Sequence, residues 1–327
     1  MPIIKNSTYP NPPFYQFNGH LQTIIPGLFR KVKGVVYERE RLELDDGDFL
    51  DLDWIRNDSK NIVLLSHGLE GSSDRQYILG AAKYFAQKGW DVLAWNCRSC
   101  SGEMNRNPRL YHHGDIEDIG TVVNQIVKQD VYENLFLIGF SMGGAMSLNY
   151  LGRNGKNIPI IVKGAVAFST PCDLKEGAEI LNVRSNAIYR NRFLKNLTIK
   201  ITQKEKAFPG LVDMKNLEKV KVWRDFDEYF SAPLNGYKDA DDFYYHSSAK
   251  NFMENIDVPI LLVNAQNDPI LTPACSPLPI AEMKDNIFIE NPKRGGHCGF
   301  MISNNEFAWA EIRAYDWVNR MTGLFMI

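Results

Sequence analysis

The feature that most constrains the fold of this chain is a repeated alternation of short apolar segments with longer amphipathic ones. The apolar segments have the length of buried strands and lie at residues 62–65, 91–96, 135–138, 161–168, 258–263 and 286–290. Helix-like segments follow several of them, at residues 76–88, 116–129, 144–151 and 307–321. Strands joined by helices in this way form a parallel sheet with crossover connections. We therefore predict an α/β fold.

The beginning of the chain departs from this alternation. Four prolines (positions 10, 12, 13 and 26) lie among aromatic residues in the first 34 residues, which we interpret as an irregular arm. Residues 35–44 and 49–56 alternate as strands do, and the turn-forming stretch 45–48 (Asp-Asp-Gly-Asp) joins them. This pattern predicts an antiparallel hairpin ahead of the parallel strands.

A long segment without strand patterning interrupts the second half. From residue 170 to about 255 the chain shows helix-like pieces rich in charged and aromatic residues, and residues 175–206 hold eight Lys or Arg against three Glu. Such an insertion lies over the carboxyl ends of the strands, where open α/β sheets bind ligands. We therefore predict an N-terminal arm (1–34), a core (35–170 and 256–327) and a helical cap (171–255).

The composition argues against several classes of protein. Of 327 residues, 44% are hydrophobic and 23% are charged, as in ordinary soluble enzymes, and the formal net charge of −2 gives no general attraction to nucleic acid. No apolar run approaches the roughly eighteen residues of a membrane span, and the first residues lack the layout of a signal peptide. Five scattered cysteines indicate free thiols in a reducing compartment. We predict a cytoplasmic protein with no nucleic-acid partner, leaving peripheral membrane contact and oligomeric state open.

A serine between two glycines is the strongest catalytic signal. The sequence Gly-Phe-Ser-Met-Gly (139–143) lies between the strand-like residues 134–138 and the helix-like residues 144–151. At a turn from strand to helix this motif is the nucleophile elbow of α/β-hydrolases, in which glycines give room for a strained serine with an exposed Oγ. The motif alone also arises by chance, and the alternative is an ordinary serine in a glycine-rich turn. Its flanks favour Ser141 as a nucleophile.

A nucleophilic serine needs a neighbouring base, and two histidines compete for that role. In α/β-hydrolases the base follows the serine and the acid along the chain, so only His246 and His297 qualify. His297 lies in a glycine-rich loop directly after the last predicted strand, where it could reach the elbow. His246 lies inside the predicted cap beside two tyrosines. We therefore predict His297 as the base.

The acid that orients this base has two candidates as well. Asp268 follows the predicted strand 258–263, next to the strand that precedes the His297 loop, and Asp173 follows strand 161–168. Asp268 is favoured because its strand end faces that loop. Its alternative role is a turn residue that bonds its own backbone.

Two backbone amides are needed to stabilise the negative charge that develops on the substrate oxygen. One is expected from the residue after the nucleophile, Met142, and the other from the loop after the third strand. That loop is residues 66–73, in which the sharp turn His-Gly-Leu makes Leu69 the second donor. His67 is then expected to hold the loop by hydrogen bonds rather than to act as a base.

Several further stretches give the chain a family resemblance. They are Asn-Gly-His-Leu-Gln-Thr (18–23), His-Gly-Leu-Glu-Gly (67–71), Asn-Cys-Arg-Ser-Cys-Ser-Gly-Glu (96–103), Gly-Phe-Ser-Met-Gly (139–143), Ser-Ala-Pro-Leu-Asn-Gly-Tyr (231–237) and Gly-Gly-His-Cys-Gly-Phe (295–300). With them the chain resembles the YheT-like branch of the α/β-hydrolases, whose relatives include eukaryotic abhydrolase-domain phospholipases and yeast medium-chain ethyl ester synthase/esterases. One departure is Ser99, where the branch pattern has glycine.

The resemblance implies the α/β-hydrolase fold and a serine hydrolase of carboxylic esters with the triad Ser141, Asp268 and His297. The expected substrate is a short- to medium-chain acyl ester or a lipid, and no metal or organic cofactor is expected. Two alternatives stay open: acyl transfer to an alcohol, and a catalytically silent fold that binds lipid. The Cys-x-x-Cys at 97–100 and the His-His-Gly-Asp at 112–115 are weaker signals for redox or metal chemistry.

Overall fold

The structure is a computed structural model that describes residues 2–323. Its strands are β1 (Ile3–Ile4), β2 (Glu38–Glu43), β3 (Phe49–Ile55), β4 (Asn61–Ser66), β5 (Asp91–Asn96), β6 (Asn134–Phe140), β7 (Val162–Phe168), β8 (Ile260–Val263) and β9 (Ile287–Glu290). Its helices are α1 (Gly19–Phe29), α2 (Gln76–Gln87), α3 (Glu117–Val127), α4 (Met142–Asn154), α5 (Leu174–Leu181), α6 (Ala187–Ala207), α7 (Trp223–Phe226), α8 (Ala232–Leu234), α9 (Ala240–Ser247), α10 (Leu278–Met283) and α11 (Trp309–Met321). Short 3₁₀ segments and a π-helical turn connect some of them.

All these strands form one sheet, in the order β1-β9-β8-β7-β6-β4-β5-β3-β2. The pairs from β1 to β5 are parallel, whereas β3 pairs antiparallel with both β5 and β2. Apolar clusters cover the sheet on both faces, which explains why its central strands are apolar at nearly every position. The predicted α/β fold with a mostly parallel sheet and an N-terminal hairpin is confirmed.

The motif at residues 96–103 holds the hairpin against the rest of the core. Arg98, with 3% of its side chain exposed, donates to Asp48 (2.7 Å) and Asp46 (2.8 Å) in the hairpin turn. It also donates through Nε and Nη2 to the two carboxylate oxygens of Asp118 in α3, at 2.8 Å each. One buried guanidinium therefore joins the turn between β2 and β3 to a crossover helix.

The departure at Ser99 has a structural explanation. Its φ of +62° lies in the left-handed region that favours glycine, the residue that the family pattern has there. The side chain offers a compensating contact, because Ser99 Oγ accepts a hydrogen bond from the backbone N–H of Asn105 at 3.1 Å. The loop therefore keeps a glycine-like backbone with a serine in it.

The prediction of an irregular N-terminal arm is wrong. Residues 3–4 form strand β1, which pairs with β9 at the sheet edge, and residues 19–29 form helix α1. The side chain of Asn18 caps the helix by accepting from Leu21 N–H at 2.9 Å, a start signal that the sequence contains. Pro26 lies within α1 near its end. The prolines misled the sequence interpretation, because one of them is tolerated inside this helix.

Residues 171–255, which we call the helical insertion, carry helices α5–α9 and no strand among the described residues. They have an apolar cluster of their own, which includes Leu197, Trp223, Phe226 and Phe230. The division of the chain into arm, core and cap stays a prediction. None of the helices in residues 2–323 has both the length and the hydropathy of a membrane-spanning segment.

We predict that Arg98→Met lowers the free energy of unfolding by about 3–5 kcal/mol, because the buried carboxylates of Asp48 and Asp118 lose the guanidinium that they share. The matched control is Arg106→Met, which removes a nearby guanidinium whose ion pair with Glu43 is exposed. This control should leave the free energy of unfolding nearly unchanged. Urea unfolding followed by circular dichroism measures both, and equal losses would contradict the structural role of Arg98.

Candidate active site

Ser141 occupies a strained turn between β6 and α4. Its backbone has φ +54° and ψ −120°, an arrangement that non-glycine residues rarely adopt. A Cβ atom at Gly139 would lie 2.4 Å from the carbonyl oxygen of Gly143, and one at Gly143 would lie 2.2 Å from the carbonyl oxygen of Ser66. Because backbone atoms fill these spaces, both flanking positions require glycine.

The structure brings the three predicted triad side chains together. Ser141 Oγ lies 2.9 Å from His297 Nε2, and His297 Nδ1 lies 2.8 Å from Asp268 Oδ2. The other carboxylate oxygen of Asp268 accepts from the backbone N–H of Ile270 at 3.0 Å. This geometry allows Nδ1–H to donate to the carboxylate while Nε2 accepts from the serine hydroxyl, which is the arrangement of a general base and its orienting acid.

The competing candidates are engaged elsewhere. His246 lies in α9 with its Nδ1 3.0 Å from Asp242 Oδ1, and its side chain is about half exposed. Asp173 caps α5 by accepting from Glu176 N–H at 3.3 Å, and it forms an ion pair with Lys250. Neither contacts Ser141 or His297 in the described structure.

Electrostatics at His297 follow from two opposing effects. Burial of the imidazole opposes protonation, but the neighbouring Asp268 carboxylate outweighs it, so the pKa of His297 is raised well above its usual value. A base of raised pKa accepts a proton readily. Only the neutral imidazole can take the hydroxyl proton of Ser141, and the Asp268 carboxylate stabilises the imidazolium that then forms.

The two predicted amide donors lie beside the serine. Met142 is the first residue of α4, and Gly68, directly before Leu69, is so close that an added Cβ would lie 3.1 Å from Ser141 Cβ. In residues 2–323 neither the Leu69 nor the Met142 N–H donates to a protein acceptor, whereas the Gly68 N–H donates to the Tyr77 hydroxyl at 3.1 Å. Both amides remain available to a ligand oxygen.

The side chain of His67 makes hydrogen bonds that stabilise this loop. Its Nδ1 lies 2.8 Å from the Gly68 carbonyl oxygen, and its Nε2 accepts from the backbone N–H of Cys97 at 3.1 Å. Burial lowers the pKa of His67 to about 4, so the ring is neutral at ordinary pH. The expectation that His67 holds the loop by hydrogen bonds is confirmed.

A cavity of about 320 Å³ opens onto Ser141 and His297. Most of its lining is apolar, and much of it comes from α1, the loop after β4 and α6 of the helical insertion. The apolar lining residues include Ile24, Leu28, Leu69, Tyr77, Ile188, Phe193 and Ile270. The size falls within the usual range of small-molecule sites. Among the described residues, no group of three or more His, Cys, Asp or Glu side chains is arranged to hold a metal ion.

The sequence interpretation missed contributors from α1 and α6. Thr23 and Ile24 of α1 line the cavity, and the sequence signals for that helix are the Asn18 cap and the helical spacing of Leu21, Ile24, Ile25 and Leu28. On α6, Lys200 donates to Glu70, the residue after Leu69, at 2.7 Å. Lys204 is also buried, and burial lowers its pKa to about 8. No local pattern marks these inward-facing lysines.

Comparison with known proteins agrees with this geometry. A family model described as alpha/beta hydrolase fold matches residues 61–303. This chain therefore belongs to the α/β-hydrolase family. The protein YheT of Escherichia coli (strain K12), which carries a provisional esterase name, is 32% identical over 92% of this chain and 90% of its own length. Human phospholipase ABHD3 is 28% identical over 92% of this chain and 75% of its own length.

The branch suggested by the sequence motifs is thereby confirmed. Among solved structures, the Pyrococcus furiosus esterase Pf2001 superimposes with a TM-score of 0.58 at 17% identity, over 97% of this chain and 99% of that one. At that identity the likeness shows the fold alone. Family membership and relatives support an esterase- or lipase-like hydrolase.

We predict that the His297 imidazole titrates above the ordinary value of about 6.5, and that Asp268→Asn lowers its pKa. The substitution removes the negative charge of Asp268 that stabilises the imidazolium, so the opposing effect of burial gains weight. Titration followed by NMR of labelled histidines measures both proteins. An unchanged His297 titration in Asp268→Asn would contradict the pairing.

Proposed function

We propose that this chain is a carboxylic ester hydrolase that works through an acyl-enzyme on Ser141. One observation carries the proposal: the side chains of Asp268, His297 and Ser141 form a continuous chain of hydrogen bonds. Asp268 Oδ2 lies 2.8 Å from His297 Nδ1, and His297 Nε2 lies 2.9 Å from Ser141 Oγ. A serine hydroxyl becomes an effective nucleophile only when such a base is in place.

The first half of the proposed reaction forms the acyl-enzyme. Ser141 Oγ attacks the ester carbonyl carbon while His297 Nε2 takes the hydroxyl proton, and Asp268 stabilises the imidazolium. The carbonyl oxygen becomes an oxyanion that accepts hydrogen bonds from the N–H groups of Leu69 and Met142. The carbon–oxygen bond to the alcohol then breaks, and His297 gives its proton to the departing alcohol.

The second half releases the acid. Water attacks the acyl carbon as His297 takes its proton, and the collapse of the second oxyanion returns that proton to Ser141. An alcohol in place of water would give a new ester by the same steps.

The lining of the cavity supports an acyl ester as substrate. Its walls are mostly apolar and suited to hydrocarbon, and Ser141 and His297 line the same cavity. The relatives named as esterase and phospholipase are consistent with an ester of short to medium acyl length or a lipid. We further propose that the helical insertion acts as a cap, because α6 forms one wall of the cavity.

The cytoplasm remains our proposed location. The five cysteines are free and buried, as expected of a protein kept under reducing conditions.

We predict that Ser141→Ala and His297→Ala each lower kcat for p-nitrophenyl ester hydrolysis by about 10⁴-fold or more, because each removes a member of the proposed triad. His246→Ala, the control, should retain wild-type kcat. Thermal unfolding verifies that the variants fold. A fluorophosphonate probe should label the wild type and fail to label Ser141→Ala; a wild type that neither reacts with the probe nor hydrolyses esters would favour the catalytically silent fold.

We predict that kcat/KM passes through a maximum at short to medium acyl length, because longer chains outgrow the cavity between α1 and α6. A series of p-nitrophenyl esters of increasing length measures this. A steady rise up to long-chain acyl groups would argue against the proposed limit on substrate size.

A further inference from the structure

We propose that Gln22 and Thr23, at the start of α1, are positioning residues. They hold the loop that carries Asp268 and the loop that carries His297 in a fixed position relative to each other. They belong to the stretch 18–23 that contributes to the family resemblance and to which the mechanism assigns no role. The inference rests on the proposed function, since it concerns the placement of the proposed acid and base.

Gln22 connects the two loops through one side-chain amide. With 1% exposure it is fully buried, and its Oε1 accepts from the backbone N–H of Gly295 at 2.7 Å and from Nδ2 of Asn267 at 3.0 Å. Its Nε2 donates to the carbonyl oxygen of Gln16 at 2.7 Å. Gly295 stands two residues before His297 and Asn267 stands one residue before Asp268, so a single buried group ties the base loop to the acid loop.

Asn267 adds a direct link between the same loops. Its Oδ1 accepts from the backbone N–H of Gly296 at 3.1 Å, while its Nδ2 donates to Gln22. Gln22 and Asn267 therefore satisfy two consecutive amides ahead of His297.

Thr23 contacts the base residue itself. Its Oγ1 accepts from the backbone N–H of His297 at 2.8 Å and donates to the carbonyl oxygen of Gly19 at 2.7 Å. The hydroxyl touches neither the imidazole nor the Ser141 side chain. It fixes the backbone from which the imidazole projects, and thereby the direction of that ring.

Close packing leaves α1 no freedom to slide over these loops. A Cβ at Gly19 would lie 1.9 Å from the carbonyl oxygen of Asn267, and one at Gly299 would lie 2.1 Å from the carbonyl oxygen of Gln22. The glycines on both sides allow backbone-to-backbone approach. The spacing between helix and loops is therefore set by main-chain contact rather than by adaptable side chains.

The far end of α1 is fixed to the core. Arg30, which follows the helix, forms a two-point ion pair with Glu311 of α11 at 2.5 and 2.9 Å, and both side chains are buried. Near its start, His20 Nδ1 lies 3.0 Å from the Tyr189 hydroxyl of α6. Contacts therefore fix α1 at both ends. A helix that positions the His297 backbone must itself be held in place.

Displacement of a catalytic group by about 1 Å can cost a factor of about 100 in rate. Loss of the Thr23 hydroxyl should therefore lower kcat about 10- to 100-fold, the usual range for groups that orient a reacting residue, and leave KM within about twofold. Thr23→Val keeps the shape of the side chain without its hydroxyl, whereas Thr23→Ser keeps the hydroxyl and should restore most of kcat.

Thr121→Val is the matched control. Thr121 lies in α3 and bonds the carbonyl oxygen of Glu117 four residues earlier, as Thr23 bonds Gly19, but the structure records no further partner for its hydroxyl. This variant reproduces the loss of a hydroxyl from a helix and should leave kcat unchanged. Thermal unfolding of all variants is measured first, and Thr23→Ala replaces Thr23→Val if the added methyl prevents folding.

A second readout needs no turnover. The low-field NMR signal of the His297 Nδ1 proton, shared with Asp268, should shift or broaden in Thr23→Val and stay in place in Thr23→Ser and Thr121→Val. Wild-type labelling by a fluorophosphonate tests the proposed function separately, so an inactive wild type leaves the NMR comparison intact. The proposal is overturned if Thr23→Val matches Thr121→Val in the NMR signal and, where the wild type is active, in kcat.

Discussion

The rest of the candidate site depends on a contact between two neighbouring strand ends. Ser66, at the end of β4, is in register with Gly139 of β6, and its carbonyl oxygen fills the space where a Cβ of Gly143 would be. The strained turn at Ser141 therefore rests directly on the backbone that begins the loop of Leu69. Because the two strands pair in the sheet, the serine and the amide loop reach the same edge as a consequence of strand pairing.

Much of this arrangement could be predicted from local patterns. Strands such as β4 and β6 are buried on both faces, so their apolar runs mark them clearly, and their observed bounds lie within two residues of the predicted ones. The candidates Ser141, Asp268 and His297 were found because each follows a recognisable strand, and parallel strands deliver their carboxyl ends to one edge. The catalytic assignment itself remains a proposal that the geometry supports.

What sequence patterns could not predict are features stabilised by distant contacts. Helix α1 contains Pro26, and a proline within a segment argues locally against a helix there. Its support comes from loops far along the chain, since Gln22 and Asn267 are 245 residues apart. Lys200 of α6 likewise faces inward because Glu70 lies opposite, and no spacing rule within a helix reveals such a partner.

The contacts of α1 have a consequence for biosynthesis. Thr23 and His297 are separated by 274 residues, and Arg30 and Glu311 by 281. During translation α1 leaves the ribosome before His297 and Glu311 have been synthesised, so these contacts cannot form until then. The proposed triad of Ser141 can therefore be aligned only after both distant loops have joined α1.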